Sequence, residues 1–147
     1  SPEKARRLIP MLSRIDILYC NRSEAETLLD AKPATLTVTR LAEGLMAKDV
    51  ASGTVTDGSE ALAAWSGGTA RTLKPFPARV VSVNGAGDSL AAGVTYGLAG
   101  GRTLFDSVPL GLAAAALKVE HADPVRPDLS LALLNARLAR EGARLRG

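Results

Sequence analysis

Aromatic residues are scarce in this 147-residue chain, in which Phe, Trp and Tyr together make up only 3% of positions. A surface that stacks nucleic-acid bases is therefore not expected, because such surfaces depend on aromatic rings. The core must be built from aliphatic residues instead. Hydrophobic residues reach 46% of the sequence and charged residues 22%, which is typical of a globular domain and excludes a disordered tail.

The chain has only one cysteine, Cys20, and one histidine, His121. A single cysteine excludes an internal disulfide and favours a reducing compartment, so we predict a cytoplasmic protein. Cys20 follows a short apolar run and is far from His121 in sequence, which favours a buried structural thiol over a nucleophile paired with a base. No apolar stretch has the length of a membrane span and no signal peptide is recognisable, so no membrane partner is expected.

The excess of positive charge is small, at +3. Its densest patch is C-terminal and consists of Arg137, Arg140, Arg144 and Arg146. A basic helix end can bind nucleic acid, but cations near a helix C-terminus are also favoured by the helix dipole. Because no nucleic-acid-binding motif accompanies the patch, we favour a solvated helix face and expect no nucleic-acid partner.

The order of the predicted elements indicates an α/β fold. A buried strand is predicted at residues 15–19, followed by a helix that Ser23 could cap. Three short strands separated by glycine turns then form a meander, which suggests one antiparallel edge on a mostly parallel sheet. These three strands are predicted at 53–56, 61–65 and 69–73, and a further strand is predicted at 80–83. Further helices are predicted at 3–13, 35–48, 88–99, 104–120 and 129–145. Alternating strands and helices of this kind pack as layers.

The most informative segment joins the strand predicted at 80–83 to the helix that follows it. Gly85 and Gly87 allow a sharp bend and a close approach of the backbone to a ligand. The start of the helix offers unpaired N–H groups and the positive end of its dipole, which suits a phosphate. Asp88 would repel a phosphate, but it is well placed to take a proton from a hydroxyl that attacks one. The alternative is that Asp88 only caps the helix.

Two other glycine motifs are excluded at this segment. A dinucleotide-binding fingerprint requires a third glycine where this chain has Leu90. A P-loop would end in Gly-Lys-Ser or Gly-Lys-Thr, and the sequence contains no such run.

Residues 80–89, Val-Val-Ser-Val-Asn-Gly-Ala-Gly-Asp-Ser, resemble the signature of the ribokinase-type carbohydrate kinases, the PfkB family. That family typically reads Asp-Thr-Thr-Gly-Ala-Gly-Asp at this place. Three further segments resemble the family in the right order, so the resemblance spans nearly the whole chain. They are Asn21-Arg22-Ser23-Glu24, Thr56-Asp57-Gly58-Ser59 and the alanine-rich stretch at 113–119.

The resemblance implies a role for each segment. It makes Asp88 the catalytic base, and it places a turn of Gly85, Ala86 and Gly87 at the phosphates, with N–H groups from Ala86 to Asp88 stabilising the transition state. It further implies Mg²⁺ held through Asn21 and Glu24, ATP phosphates contacted by Thr56, Gly58 and Ser59, and an adenine pocket walled by Leu112 and Ala115. Taken alone, these segments would be a helix start, a hairpin turn and a closely packed helix.

Three positions depart from the family pattern. Ser82 stands where relatives carry an acidic residue that helps to bind an activating monovalent cation, which puts K⁺ dependence in doubt. Asn84 replaces a common Thr and Leu90 a common Phe. The sequence of residues 82–90 is most similar to that of the pseudouridine kinase branch.

Family members are about twice the length of this chain. We therefore expect residues 1–147 to be the C-terminal portion of a three-layer αβα ribokinase-like fold, the ATP-binding and catalytic half, with the N-terminal half absent. The resemblance implies an ATP-dependent kinase for a hydroxyl of a sugar or nucleoside, inactive as this chain alone. The alternative is a truncated, non-catalytic nucleotide-binding module. A central strand without neighbours would expose its edge, so a homo-oligomer is expected.

Overall fold

A computed structural model describes the backbone of residues 2–146 and the side chains of residues 3–142. The chain divides into two compact units, residues 1–74 and 75–147. The first unit combines helices with a sheet, and the described elements of the second are all helical.

The first unit is built around a four-stranded sheet with the strand order β1-β2-β3-β4. Strands β1 and β2 are parallel, whereas β2–β3 and β3–β4 are antiparallel. The predicted meander is therefore present. The elements in chain order are α1 (Pro2–Arg6), a 3-10 helix (Ile9–Arg14), β1 (Leu18–Asn21), α2 (Arg22–Leu29), α3 (Val38–Met46), β2 (Ser52–Asp57), β3 (Ala61–Ser66) and β4 (Thr69–Leu73).

The core of the first unit lies between this sheet and helices α2 and α3. Helix α3 begins after Thr37, whose side chain accepts the N–H of Arg40, and it buries one apolar face. Trp65 on β3 is fully buried, and its indole N–H donates to the carbonyl of Val50 at 3.0 Å. The chain's only tryptophan therefore fills this core without leaving its polar atom unpaired.

The second unit contains helices α4 (Ala86–Ala99), α5 (Leu104–Val119) and α6 (Leu131–Arg146). Helices α4 and α5 pack backbone against backbone through glycines. A Cβ atom at Gly93 would lie 2.7 Å from the Cα atom of Gly111, and one at Gly97 would lie 2.5 Å from the hydroxyl of Ser107. Larger side chains at these glycines would force the two helices apart.

Helix α6 is attached to the rest of the second unit by Arg137. This side chain is only 3% exposed and forms ion pairs with Glu120 at 3.0 Å and Glu141 at 3.1 Å, and it also donates to the carbonyl of Pro77. Arg137 was expected to belong to an exposed basic patch, but it is a buried and paired residue. The side chains of Arg144 and Arg146 lie outside the described part.

The prediction of a strand at residues 80–83 is wrong. Val80, Val81 and Val83 are more than half exposed, and the segment is irregular. The N–H groups of Val81 and Ser82 both donate to the carbonyl of Val119, at 2.7 and 3.1 Å. The alternation of β-branched residues favoured a strand, but this backbone bonds to the end of α5 rather than to a neighbouring strand.

Strand β1 also differs from its prediction, because it begins at Leu18 and not at Ile15. The N–H of Ile15 still bonds to the carbonyl of Leu12 at the end of the 3-10 helix. Pairing with β2 sets the register from Leu18 onward. Among the described helices, none has the length and apolar character needed to cross a membrane.

Candidate functional site

The first group of candidate residues lies where β1 passes into α2. The N-cap of α2 is Asn21, not Ser23 as predicted. The Asn21 side chain accepts the N–H of Glu24 at 2.9 Å, and the Glu24 carboxylate accepts the N–H of Asn21 at 3.1 Å. This reciprocal capping box satisfies two N–H donors at the start of the helix and fixes both side chains at the end of β1.

The second group lies at the end of β2, beside the first. Asn21 is the register partner of Thr56 in the parallel β1–β2 pair. Thr56 is half-buried, and a turn at Gly58 and Ser59 follows. Gly58 has φ +53, and a Cβ there would meet nothing within 4 Å, so its backbone is open to approach. Both motifs thus lie at the carboxyl ends of adjacent parallel strands, where open α/β sheets bind ligands.

An ion pair that was not predicted joins the two groups. The guanidinium of Arg22 donates to the Asp57 carboxylate at 2.7 Å and to the carbonyl of Leu36 at 2.5 Å. The hydrogen bond from Arg22 lowers the pKa of Asp57, an effect that its partial desolvation opposes. Each partner lies inside one of the two motifs. Their opposite charges at neighbouring strand ends were the only signal in the sequence.

Glu24 also lines an open pocket of about 310 Å³ beside β1, together with Lys4, Tyr19 and Cys20. Burial, together with the smaller effect of the negative charge of Glu24, raises the pKa of the Cys20 thiol to about 12. The thiol donates to the carbonyl of Thr54 at 3.6 Å. Cys20 is thus a buried, unreactive thiol, as expected from the sequence.

The predicted magnesium residues do not form a metal cage. In the part of the chain that the structure describes, no three His, Cys, Asp or Glu side chains are grouped closely enough to hold a metal ion. Mg²⁺ usually keeps several waters and binds one or two carboxylates together with substrate phosphates. The oxygen of Asn21 is engaged by Glu24. Glu24 therefore fits a water-mediated contact to an ion carried by a nucleotide, with Asn21 orienting it.

The third group is the turn that begins α4 in the second unit. Gly85 is the N-cap and has φ +80, a left-handed conformation that favours glycine. A Cβ at Gly85 would also overlap the carbonyl oxygen of Pro124. Gly87 has no positive φ and is helical, so the sharp bend is made by Gly85 alone. A Cβ at Gly87 would meet nothing within 4 Å, which leaves the start of the helix open.

Asp88 is exposed and is the third residue of α4, so it does not occupy the cap position. The N–H of Ala86, expected to face a phosphate, instead donates to the carbonyl of Val83 at 3.2 Å. The described residues supply no partner to the N–H groups of Gly87 and Asp88. Two donors and one carboxylate are therefore presented together at the positive end of a helix.

The remaining predicted residues lie on α5. Leu112 is buried and offers little surface to a ligand, whereas Ala115 is half-buried. Sequence reasoning missed Lys118, near the end of the same helix. Its side chain is buried, and its ammonium donates to the carbonyls of Ser82 and His121. A lysine within an alanine-rich stretch was the only signal available.

Comparison with known proteins identifies the family. The model of the pfkB family carbohydrate kinases matches residues 1–129. An uncharacterized sugar kinase of Escherichia coli, YegV, is 36% identical over 123 residues, which cover 81% of this chain and 38% of that protein. The pseudouridine kinase of Arabidopsis thaliana is 38% identical over 72 residues, covering 48% of this chain and 19% of that protein.

Among solved structures, ribokinase from Thermotoga maritima superposes with a TM-score of 0.79 at 23% identity, over 89% of this chain and 44% of that one. This likeness confirms the predicted ribokinase-like α/β fold. The chain spans less than half the length of each of these three proteins.

Proposed function

The chain belongs to the pfkB family of carbohydrate kinases, and on that basis we propose that it is the ATP-binding and catalytic half of an ATP-dependent kinase. The substrate would be a hydroxyl of a sugar or nucleoside. In this proposal residues outside 1–147 complete the substrate site, and the protein works in the cytoplasm as a homo-oligomer. The observation that carries it is the turn at Gly85, where two N–H donors and the carboxylate of Asp88 face outward from one helix end.

Phosphoryl transfer requires positioning and charge stabilisation more than covalent help from the protein. The N–H groups of Gly87 and Asp88 would donate to oxygens of the transferred phosphoryl group, supported by the helix dipole. The Asp88 carboxylate would accept the proton of the attacking hydroxyl. Mg²⁺ bound with the nucleotide would neutralise phosphate charge, with Glu24 on its waters, and Thr56, Gly58 and Ser59 would contact the nucleotide.

Pseudouridine is the nucleoside that we propose to test first. This choice is supported by the similarity to the Arabidopsis thaliana pseudouridine kinase and by the sequence of residues 82–90. Ribose and fructose serve as the sugar alternatives. Phosphoryl transfer to each of the three should be measured with Mg²⁺–ATP in the protein that carries this chain.

The catalytic part of the proposal is tested with Asp88→Asn. As a general base, Asp88 should contribute roughly 10²–10⁴-fold in kcat, while ATP affinity stays near that of the parent. Asp106 gives a matched control, because it is likewise the exposed third residue of a helix. Asp106→Asn should leave kcat unchanged. An Asp88→Asn protein with normal turnover contradicts the role of Asp88. ATP binding without transfer to any acceptor would favour the non-catalytic nucleotide-binding module.

A further inference from the structure

Lys118 is an unusual residue in the second unit, because it is charged and only 1% exposed. It is the only basic residue of α5, and it lies one residue before the end of that helix. Its ammonium donates to the carbonyl of Ser82 at 3.3 Å and to that of His121 at 3.2 Å. A buried ammonium is costly unless it is hydrogen-bonded, and here both of these partners are backbone oxygens.

The two carbonyls belong to the two segments that enclose the turn at Gly85. Ser82 precedes that turn by three residues. His121 begins the segment that leads to Pro124, whose carbonyl lies against Gly85. The stem of Lys118 also reaches this place, since a Cβ at Gly85 would lie 3.6 Å from its Cε atom. One side chain thus contacts both walls of the turn.

A simpler role would be to cap the C-terminus of α5, where cations are favoured. In that case the ammonium would bond to the last carbonyls of the helix itself. Both acceptors lie outside α5, and Ser82 is 36 residues away in sequence. The contacts therefore match a link between segments better than a helix cap.

We propose that Lys118 is a positioning residue for the phosphate-binding turn, acting as a built-in cation that holds the carbonyls of Ser82 and His121 together beneath it. By fixing both segments it orients the N–H groups of Gly87 and Asp88. The inference rests on the proposed kinase function for its catalytic readout only. The proposal implies that, once the Lys118 ammonium is removed, the two carbonyl oxygens leave a place that a free monovalent cation can enter, since backbone carbonyls ligate K⁺ and accept hydrogen bonds from NH₄⁺.

The test compares Lys118→Ala, which opens a space beside the carbonyls, with Lys118→Met, which fills the space without a charge. Both variants should lose about 10- to 100-fold in kcat, the loss expected when reacting groups are misplaced by about 1 Å. Ammonium or K⁺ should raise the kcat of Lys118→Ala at least several-fold. The concentration used is about 100 mM, which is on the order of that needed to screen surface charges. Lys118→Met should not respond. Tetramethylammonium at equal ionic strength is too large to enter and should restore neither.

Thermal unfolding gives a second readout that does not depend on kinase activity. Ammonium should raise the melting temperature of Lys118→Ala more than tetramethylammonium does, and it should make no such difference to Lys118→Met or to the parent. If the parent protein transfers no phosphate, the kinase proposal fails and this melting comparison still decides the role of Lys118. If Lys118→Ala fails to fold, the inference is decided by two other results. A parent-like kcat in Lys118→Met overturns it. A reduced kcat in Lys118→Met, together with ammonium-dependent refolding of Lys118→Ala, supports it. Equal effects of ammonium and tetramethylammonium on both variants would also overturn it.

Discussion

Replacing Gly93 by alanine tests how closely α4 packs against α5. A Cβ at position 93 would lie 2.7 Å from the carbonyl oxygen of Leu110 and the Cα of Gly111, and 2.8 Å from the Gly111 nitrogen. Non-bonded carbon contacts are relaxed at roughly 3.5–4.0 Å, so the helices would have to separate by about 1 Å where they cross. All three atoms are backbone, and no rotamer change can relieve the overlap.

The size of the effect follows from two opposing terms. Overpacking a close contact costs about 1–3 kcal/mol, and the upper half of that range applies when the backbone must move. Alanine is a better helix former than glycine by roughly 1 kcal/mol, which offsets part of this cost. We therefore expect Gly93→Ala to lower the free energy of unfolding of the second unit by about 1–2 kcal/mol.

Gly87→Ala is the matched control in the same helix, because a Cβ at Gly87 would meet nothing within 4 Å. It should leave stability unchanged or raise it by up to about 1 kcal/mol. Urea unfolding followed by far-UV circular dichroism measures the loss of helix. Fluorescence of the single tryptophan, Trp65, follows unfolding of the first unit in the same samples. If Gly93→Ala is as stable as Gly87→Ala, the helices are not in the contact described.

Two further predictions concern the first unit. With a pKa near 12, the Cys20 thiol should react with iodoacetamide at pH 8 about three orders of magnitude more slowly in the folded protein than in urea; equal rates would show that Cys20 is not buried. Because its pKa is lowered, Asp57 contributes stability above its unfolded pKa and loses that contribution as the pH falls through the folded value. Asp57→Asn should therefore lower stability by about 1 kcal/mol or less at pH 7. Unfolding followed by Trp65 fluorescence should show the difference in stability shrinking as the pH falls below the usual Asp pKa of about 4. A deficit that is constant with pH would contradict the ion pair with Arg22.

Local chemistry predicted much of the fold. The meander was recognisable because three short apolar runs are separated by glycine turns, and strand β4 was predicted with its observed bounds, Thr69–Leu73. The prediction of a strand at 80–83 was wrong because alternating valines indicate a strand only if a neighbouring strand is available for pairing. No local pattern could show that Val81 and Ser82 would bond instead to the carbonyl of Val119 at the end of α5.

The candidate site was predicted as motifs, and the structure adds the contacts between them. Parallel pairing of β1 with β2 brings Asn21 level with Thr56, a relation that depends on register and not on either motif alone. The link between Arg22 and Asp57 depends on the same register. The contacts of Lys118 join residues that are 36 positions apart. Long-range contacts of this kind arise only when the whole chain folds, so local sequence patterns do not reveal them.

Asn21 and Glu24 show why a structural role and a functional one are not alternatives for the same residues. Their reciprocal hydrogen bonds account fully for a helix start. The same bonds hold the Glu24 carboxylate at the carboxyl end of β1, where the proposed contact to a nucleotide's ion through water would be made. Because a capping box fixes a carboxylate on a rigid element, it supplies the preorganisation that such a contact needs. The helix start predicted from local chemistry is therefore a precondition for the proposed role of Glu24, and finding it does not count against that role.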